Sequence, residues 1–203
     1  MPQQPKLLLA TNNQGKLAEF RHLLGGCGWQ LVTPRDVGVQ LDVDETGQTY
    51  LENATLKAVA FARTSGLTSL ADDSGLEVDA LDGRPGILSA RYAGADLTDG
   101  ERVAALLEEL AGVSEKARAA RFRCVIAIAT PAGEVQSVEG TVEGRIAAGP
   151  RGENGFGYDP IFELPERGLT VAELPASEKH AVSHRGVAAR NARKLLENIL
   201  HDD

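Results

Sequence analysis

Aromatic side chains are scarce in these 203 residues: one Trp, three Tyr and five Phe. A core that cannot draw on rings is filled with Ala, Leu and Val, which predicts an α/β protein. Cysteine is scarcer still. Cys27 and Cys124 stand far apart and neither sits in a C-x-x-C pair, which argues against a disulfide or zinc framework. Cys124, inside an apolar run, reads as a small core residue. Basic residues are outnumbered, 21 Lys and Arg against 29 Asp and Glu, for a formal net charge of -8. That balance argues against a duplex nucleic-acid or anionic-membrane surface, which requires a basic face. It leaves room for a small phosphorylated substrate that brings divalent metal with it. No apolar run approaches membrane-spanning length, and the stretch at 7–10 after Lys6 is too short for a secretory leader. A soluble, cytoplasmic protein is expected. With no repeat, low-complexity linker or clear boundary, residues 1–203 read as a single domain.

The apolar pattern supplies an outline. Residues 7–10 predict a short strand, followed by a helix with Leu17, Phe20 and Leu24 on one face and Gly25-Gly26 at its end. A second strand is expected at 30–33, then a polar loop through Asp42, Asp44, Glu45 and Gly47. Thr49 and Glu52 form a capping box, opening a helix that buries Leu51, Ala54, Ala58, Phe61 and Ala62 and carries Asn53 and Lys57 on its other side. The run at 67–70 predicts a strand ending at Asp72-Asp73. Thr98 and Glu101 form a second capping box for a helix with Val103, Leu106, Leu107 and Leu110 inward. Residues 122–129 and 135–142 read as a strand pair, the first nearly all apolar and the second alternating. A glycine-rich loop spans 149–159, and a final helix from about Ser183 buries Ala188, Ala192, Leu195, Leu196 and Ile199.

Five segments could carry chemistry. Ala71-Asp72-Asp73-Ser74-Gly75 sets two carboxylates side by side, an arrangement that calls for a cation, a shared proton or water. The same residues are ordinary turn composition. With Asp44 and Glu45 they form a set of hard oxygen donors suited to Mg²⁺. Thr11, Asn12, Asn13, Gln14, Gly15 and Lys16 lie between a strand and a helix, where backbone N–H groups and a lysine cradle anions. Leu17 follows Lys16, so this is not a Walker loop; a plain capped helix start is the competing reading. Lys57, four residues after Asn53, either neutralises phosphate or pairs with Glu52 on the surface. Gly155-Phe156-Gly157-Tyr158-Asp159-Pro160 fails the dinucleotide fingerprint because Pro160 holds the third glycine position. Its two rings either stack on a base, with Asp159 accepting a ring N–H, or tuck into the core. Lys179, His184 and Arg185 gather donors near the start of the last helix, and His180 and His184 lack the H-E-x-x-H context of a zinc pair.

Taken together and in order, Thr11 to Lys16, Glu45-Thr46-Gly47, Glu52 to Ala58, Ala71 to Leu76, Pro85 to Tyr92, Gly155 to Phe162 and Ser183 to Gly186 resemble one family. It is the purine nucleoside triphosphate pyrophosphatases that act on inosine and xanthosine triphosphates and their deoxy forms (dITP/XTP pyrophosphatases). The resemblance implies an elongated, two-lobed α/β fold with a central mixed sheet flanked by helices and a cleft between the lobes, usually as a homodimer. It implies Mg²⁺-dependent hydrolysis of a small-molecule nucleoside triphosphate to the monophosphate and pyrophosphate, with no nucleic-acid polymer as partner. By position, Thr11 to Lys16 would hold the phosphates; Glu45, Asp72 and Asp73 would bind metal; and Asp73 would be the general base, with Ser74 beside it. Lys57 would support the reacting centre, and Phe156, Gly157, Tyr158, Asp159, Lys179, His184 and Arg185 would form the base pocket. Asn12 departs from the glycine often found there. Two rivals remain at this stage: a pyrophosphatase for pyrimidine nucleotides, and a nucleotide sensor without turnover.

Overall fold

The computed structural model describes residues 4–201. Its strands are β1 (Lys6–Leu9), β2 (Gln30–Val32), β3 (Thr68–Val78), β4 (Ala119–Ala129), β5 (Val135–Ile146), β6 (Phe162–Leu164) and β7 (Leu169–Thr170). They form a seven-stranded sheet in the order β2-β1-β3-β4-β5-β6-β7. The α-helices among the described residues are α1 (Gln14–Leu23), α2 (Tyr50–Ser65), α3 (Asp99–Glu109), α4 (Ala176–Val182) and α5 (His184–His201). β1 runs parallel to β2 and β3, with Leu8 opposite Val32 and Ser69. Parallel neighbours need long crossovers, and α1 and α2 lie in the two connections. β6 is antiparallel to β5 and β7, so the sheet is mixed as expected.

Residue contacts divide the chain into two units. The first comprises the chain up to Asp73, residues 124–140 and those from Val187 onward. In it, Leu7 and Leu9 pack with Leu17 and Phe20 of α1, with Leu24 at its C-cap, and with Ala188, Ala192 and Leu196 of α5. Leu8 and Ala10 turn the other way, onto Ala54, Ala58, Phe61 and Ala62 of α2. This is the two-residue period of the pleat with both faces covered, which is why residues 7–10 are apolar without interruption. Trp29 joins the α5 side and donates from its indole to the Leu196 carbonyl at 3.1 Å. Cys27 and Cys124 are buried here with no disulfide between them.

The second unit comprises 74–123 and 141–186. Leu76, Val78, Val103, Leu106, Leu110, Phe122, Phe162 and Leu164 form its core, with Tyr158 among them. Arg118, buried, donates to the carbonyls of Leu110, Val113 and Ala147. The first two follow α3, so its guanidinium answers the negative end of that helix.

Both capping boxes form as expected, on Thr49 with Glu52 and on Thr98 with Glu101. Four expectations need correction. Leu51 is exposed, because Tyr50 takes the buried position of the first turn of α2. Asn53, expected on the side opposite the buried stripe, is itself fully buried. The chain does not leave the sheet at Asp72: β3 runs through both aspartates and on to Val78. Finally, α4 forms where no helix was expected. Among the described residues no helix is long and apolar enough to cross a membrane.

Gly186 illustrates how tightly the start of α5 is built. Its N–H donates to Ser183 Oγ at 3.1 Å, and a Cβ there would stand 2.0 Å from the His180 carbonyl oxygen of α4. Alanine normally stabilises a helix by about 1 kcal/mol over glycine. Here overpacking, about 1–3 kcal/mol, decides the sign. Gly186→Ala is expected to lower the midpoint of thermal unfolding; an unchanged or raised midpoint would contradict this packing.

Candidate functional site

Successive strand residues point to opposite faces, and β3 therefore separates its two aspartates. Asp72 turns to the side of α1, where Lys16 Nζ lies 2.9 Å from its Oδ2 and Cys124 Sγ lies 3.9 Å away. Asp73 turns to the side of α2, where Asn53 Nδ2 donates to Oδ2 at 3.1 Å and Lys57 Nζ stands 3.9 Å from Oδ1. The expected crowding of two neighbouring carboxylates does not arise. Each instead has its own lysine, supplied by a different helix.

Lys57 also holds Glu45, its Nζ 2.5 Å from Oε1. Glu45, Lys57, Asn53 and Asp73 are thus brought together on the α2 face. Burial pushes the Asp73 carboxyl above its ordinary range, against the pull of Lys57 and Lys16. Lys57 is held above its own ordinary value by Asp72, Asp73 and Glu45, which together outweigh its burial. Among the described residues no three His, Cys, Asp or Glu side chains are grouped as a metal cage as they stand. The donors are nevertheless hard oxygens, and burial raises the Asp73 pKa despite two nearby ammonium groups, so its ionised form is still short of compensating positive charge. That donor set fits an oxygen-seeking divalent ion, and Glu45 and Asp73 face the same ground.

The expected anion cradle lies at the start of α1. Asn13 is the N-cap, accepting from Lys16 N–H at 3.0 Å, and Thr11 Oγ1 accepts from Asn13 N–H at 3.2 Å. The Asn12, Asn13 and Gln14 side chains are exposed, and Gly15 is partly so. Lys16 reaches from here to Asp72.

In the second unit, Arg185 Nη2 donates to Ser74 Oγ at 2.8 Å. Lys179 pairs with Asp159 at 2.6 Å, both nearly fully buried. Lys179 Nζ and the Arg185 guanidinium also lie 4.7 Å and 5.6 Å from the centroid of the half-buried Phe156 ring, within cation–π range. Asp159 Oδ2 accepts the Phe156 N–H at 2.9 Å, and Asp99 accepts the Gly157 N–H at 2.7 Å, so two successive amides of the loop are tied down. A Cβ at Gly155 would stand 2.1 Å from Asp159 Oδ2, which requires glycine there. Tyr158 takes the core reading: its ring is buried and its hydroxyl donates to the Ser89 carbonyl at 3.0 Å. His184 is buried and stacks on Phe122, centroids 4.6 Å apart. Phe156, Asp159, Lys179 and Arg185 therefore form one group, Ser74 joins it through Arg185, and Tyr158 and His184 stand in the packing behind.

Sequence reasoning left out Asn53 and Asp99 as site residues. For Asn53 a signal existed: an amide among alanines on the apolar stripe of a helix, where burial obliges it to bond.

The raised Asp73 pKa has a consequence for stability. The native carboxyl binds its proton more tightly than the unfolded chain does, so its ionised form lowers stability as pH rises above the ordinary value of 3.8. Asp73→Asn is expected to be more stable than wild type at about pH 7, with the gap closing toward pH 4. A variant less stable at neutral pH would contradict the burial argument.

The chain's residues 7–195 match the model of the Ham1 family. It is 49% identical over 194 residues, 96% of each chain, to the dITP/XTP pyrophosphatase of Desulforamulus reducens. It is 46% identical to that of Bacillus subtilis, over 94% of this chain and 96% of the relative. Among solved structures, a HAM1 protein from Coxiella burnetii superposes with a TM-score of 0.87 at 43% identity, covering 96% of this chain and 99% of that one. The acidic strand, its lysines and the aromatic loop thus sit on a fold shared along nearly the whole length, and the chain belongs to the Ham1 family.

Proposed function

We propose that the chain hydrolyses inosine and xanthosine triphosphates and their deoxy forms to the monophosphate and pyrophosphate, keeping them out of DNA and RNA. The observation that carries this reading is Asp73: a buried carboxyl on β3, raised in pKa, braced by Asn53 and flanked by Lys57 and Glu45. A base works best with a pKa near the operating pH, and burial moves Asp73 in that direction. In the reaction, a water oxygen bonds to phosphorus as the α–β anhydride bond breaks. The water proton passes to Asp73, and pyrophosphate leaves.

The polyanion must be screened by cations. Lys57 and Lys16 supply two, and a divalent ion, as the family implies, would supply the rest by polarising a phosphoryl oxygen and the reacting water. Glu45 and Asp73 would hold it, with Mg²⁺ the ion proposed. Asp72 is proposed as a further ligand, and its ion pair with Lys16 would hold that lysine toward the phosphates. The exposed edge of 11–16 would take the phosphate chain. Phe156 would offer its ring to the purine, while Lys179 and Arg185 offer donors to a 6-oxo group. Adenine places a 6-amino donor there instead, and each buried donor left unpaired costs about 1–3 kcal/mol. His184 and Tyr158 shape this pocket from behind. One functional domain, homodimeric and cytoplasmic, is proposed with this reading on the strength of the family resemblance.

The test is product analysis with ITP, XTP, dATP, dGTP and dTTP in Mg²⁺. Pyrophosphate from ITP and XTP, with little from the others, is expected; rejection of dGTP, which shares the 6-oxo group, would rest on its 2-amino group. Preferential cleavage of dTTP would favour the pyrimidine enzyme, and binding without turnover would favour the sensor; either contradicts the proposal. Asp73→Asn should retain substrate binding and lose turnover by about 10²-fold or more.

A further inference from the structure

Asn53 is 0% exposed, and a buried amide must find partners for both its ends. It finds them on two different segments. Oδ1 accepts the Gly47 N–H at 2.8 Å, and Nδ2 donates to Asp73 Oδ2 at 3.1 Å. One side chain of α2 thus joins the loop that carries Glu45 to the strand that carries Asp73. Glycine is required at 47 for this approach, since a Cβ would stand 2.6 Å from Glu52 Cβ and 2.7 Å from Asn53 Oδ1.

The chemistry of the partners also sets which way the amide points. A backbone N–H only donates, so the oxygen of Asn53 must face Gly47. Its NH₂ must then face Asp73, and an NH₂ cannot accept. Asp73 Oδ2 is held as an acceptor by a donor that has nothing to take in return. The other oxygen, Oδ1, is the one turned toward Lys57, which in turn holds Glu45.

We propose that Asn53 is a positioning residue that assigns unlike tasks to the two oxygens of Asp73. It occupies Oδ2 and leaves the water-activating role to Oδ1, and through Gly47 it keeps the Glu45 loop in register with that oxygen. The proposal rests on the reading of Asp73 as the base.

Asn53→Asp separates the two bonds, because it preserves an acceptor for Gly47 and removes the donor to Asp73. Asn53→Ala removes both. Turnover of ITP by Asn53→Asp should fall about 10–100-fold, the usual loss when an outer-sphere partner is removed, with KM little changed. Asn53→Ala should lose turnover and stability together. Exchanging the pair, Asn53→Asp with Asp73→Asn, restores a donor–acceptor contact of reversed direction. Its thermal stability should therefore exceed the sum of the two single effects, while turnover stays lost.

Wild-type kcat in Asn53→Asp, or strictly additive stabilities in the exchanged pair, would overturn the inference. A wild-type chain that fails to cleave ITP and XTP overturns the functional reading and this inference together. Cleavage by wild type with an unimpaired Asn53→Asp overturns this inference alone.

Discussion

A β-strand cannot place two consecutive side chains on one face, and the acidic half of the molecule is organised around that constraint. With Asp72 and Asp73 both buried on β3, each carboxylate needs compensation on its own side of the sheet. Lys16 of α1 answers one, and Lys57 of α2 answers the other. The two lysines are 41 positions apart in the chain (57 minus 16) and have unlike surroundings. Lys16 stands at a helix start suited to anions, whereas Lys57 is shared with Glu45. The split therefore suits the pair to two roles, with Asp73 next to the proposed chemistry and Asp72 anchoring a lysine proposed to face the phosphates.

The same rule of compensated burial shapes the second unit. Lys179 and Asp159 are too deeply buried to remain charged alone, and their ion pair fixes the loop that presents Phe156. Replacing such a pair with apolar groups is often neutral for stability, so its retention is better explained by position than by strength. Lys179 keeps a cation near one aromatic ring, and Arg185, bonded to Ser74, keeps a second. Ser74 follows Asp73 directly in β3, so the proposed base and the residue bonded to Arg185 are consecutive in the chain.

Much of the fold was legible from local pattern. The capping boxes at Thr49 and Thr98 declared themselves because cap and N3 partner lie three residues apart. The strand at 7–10 was legible because burial on both faces leaves no polar interruption. Asp72-Asp73-Ser74-Gly75 was misplaced at a strand end, since those four residues favour a turn and only distant lysines make them tolerable inside a sheet. Asn53 was misread for a related reason: its obligation is set by Gly47 and by Asp73, twenty residues away. The family motifs singled out most of the residues that the structure groups around Asp73 and around Phe156. They could not show that Tyr158 serves the core or that Lys179 is already paired.

The central proposal is that Glu45 and Asp73, which share Lys57, would also hold a divalent ion. Titrating Mg²⁺ into the substrate-free protein while following thermal unfolding tests it directly. The account predicts a midpoint that rises with Mg²⁺ in wild type, by linkage of binding to the folded state, and that stays flat in Asp73→Asn. An equal rise in both proteins, or none in either, would contradict it.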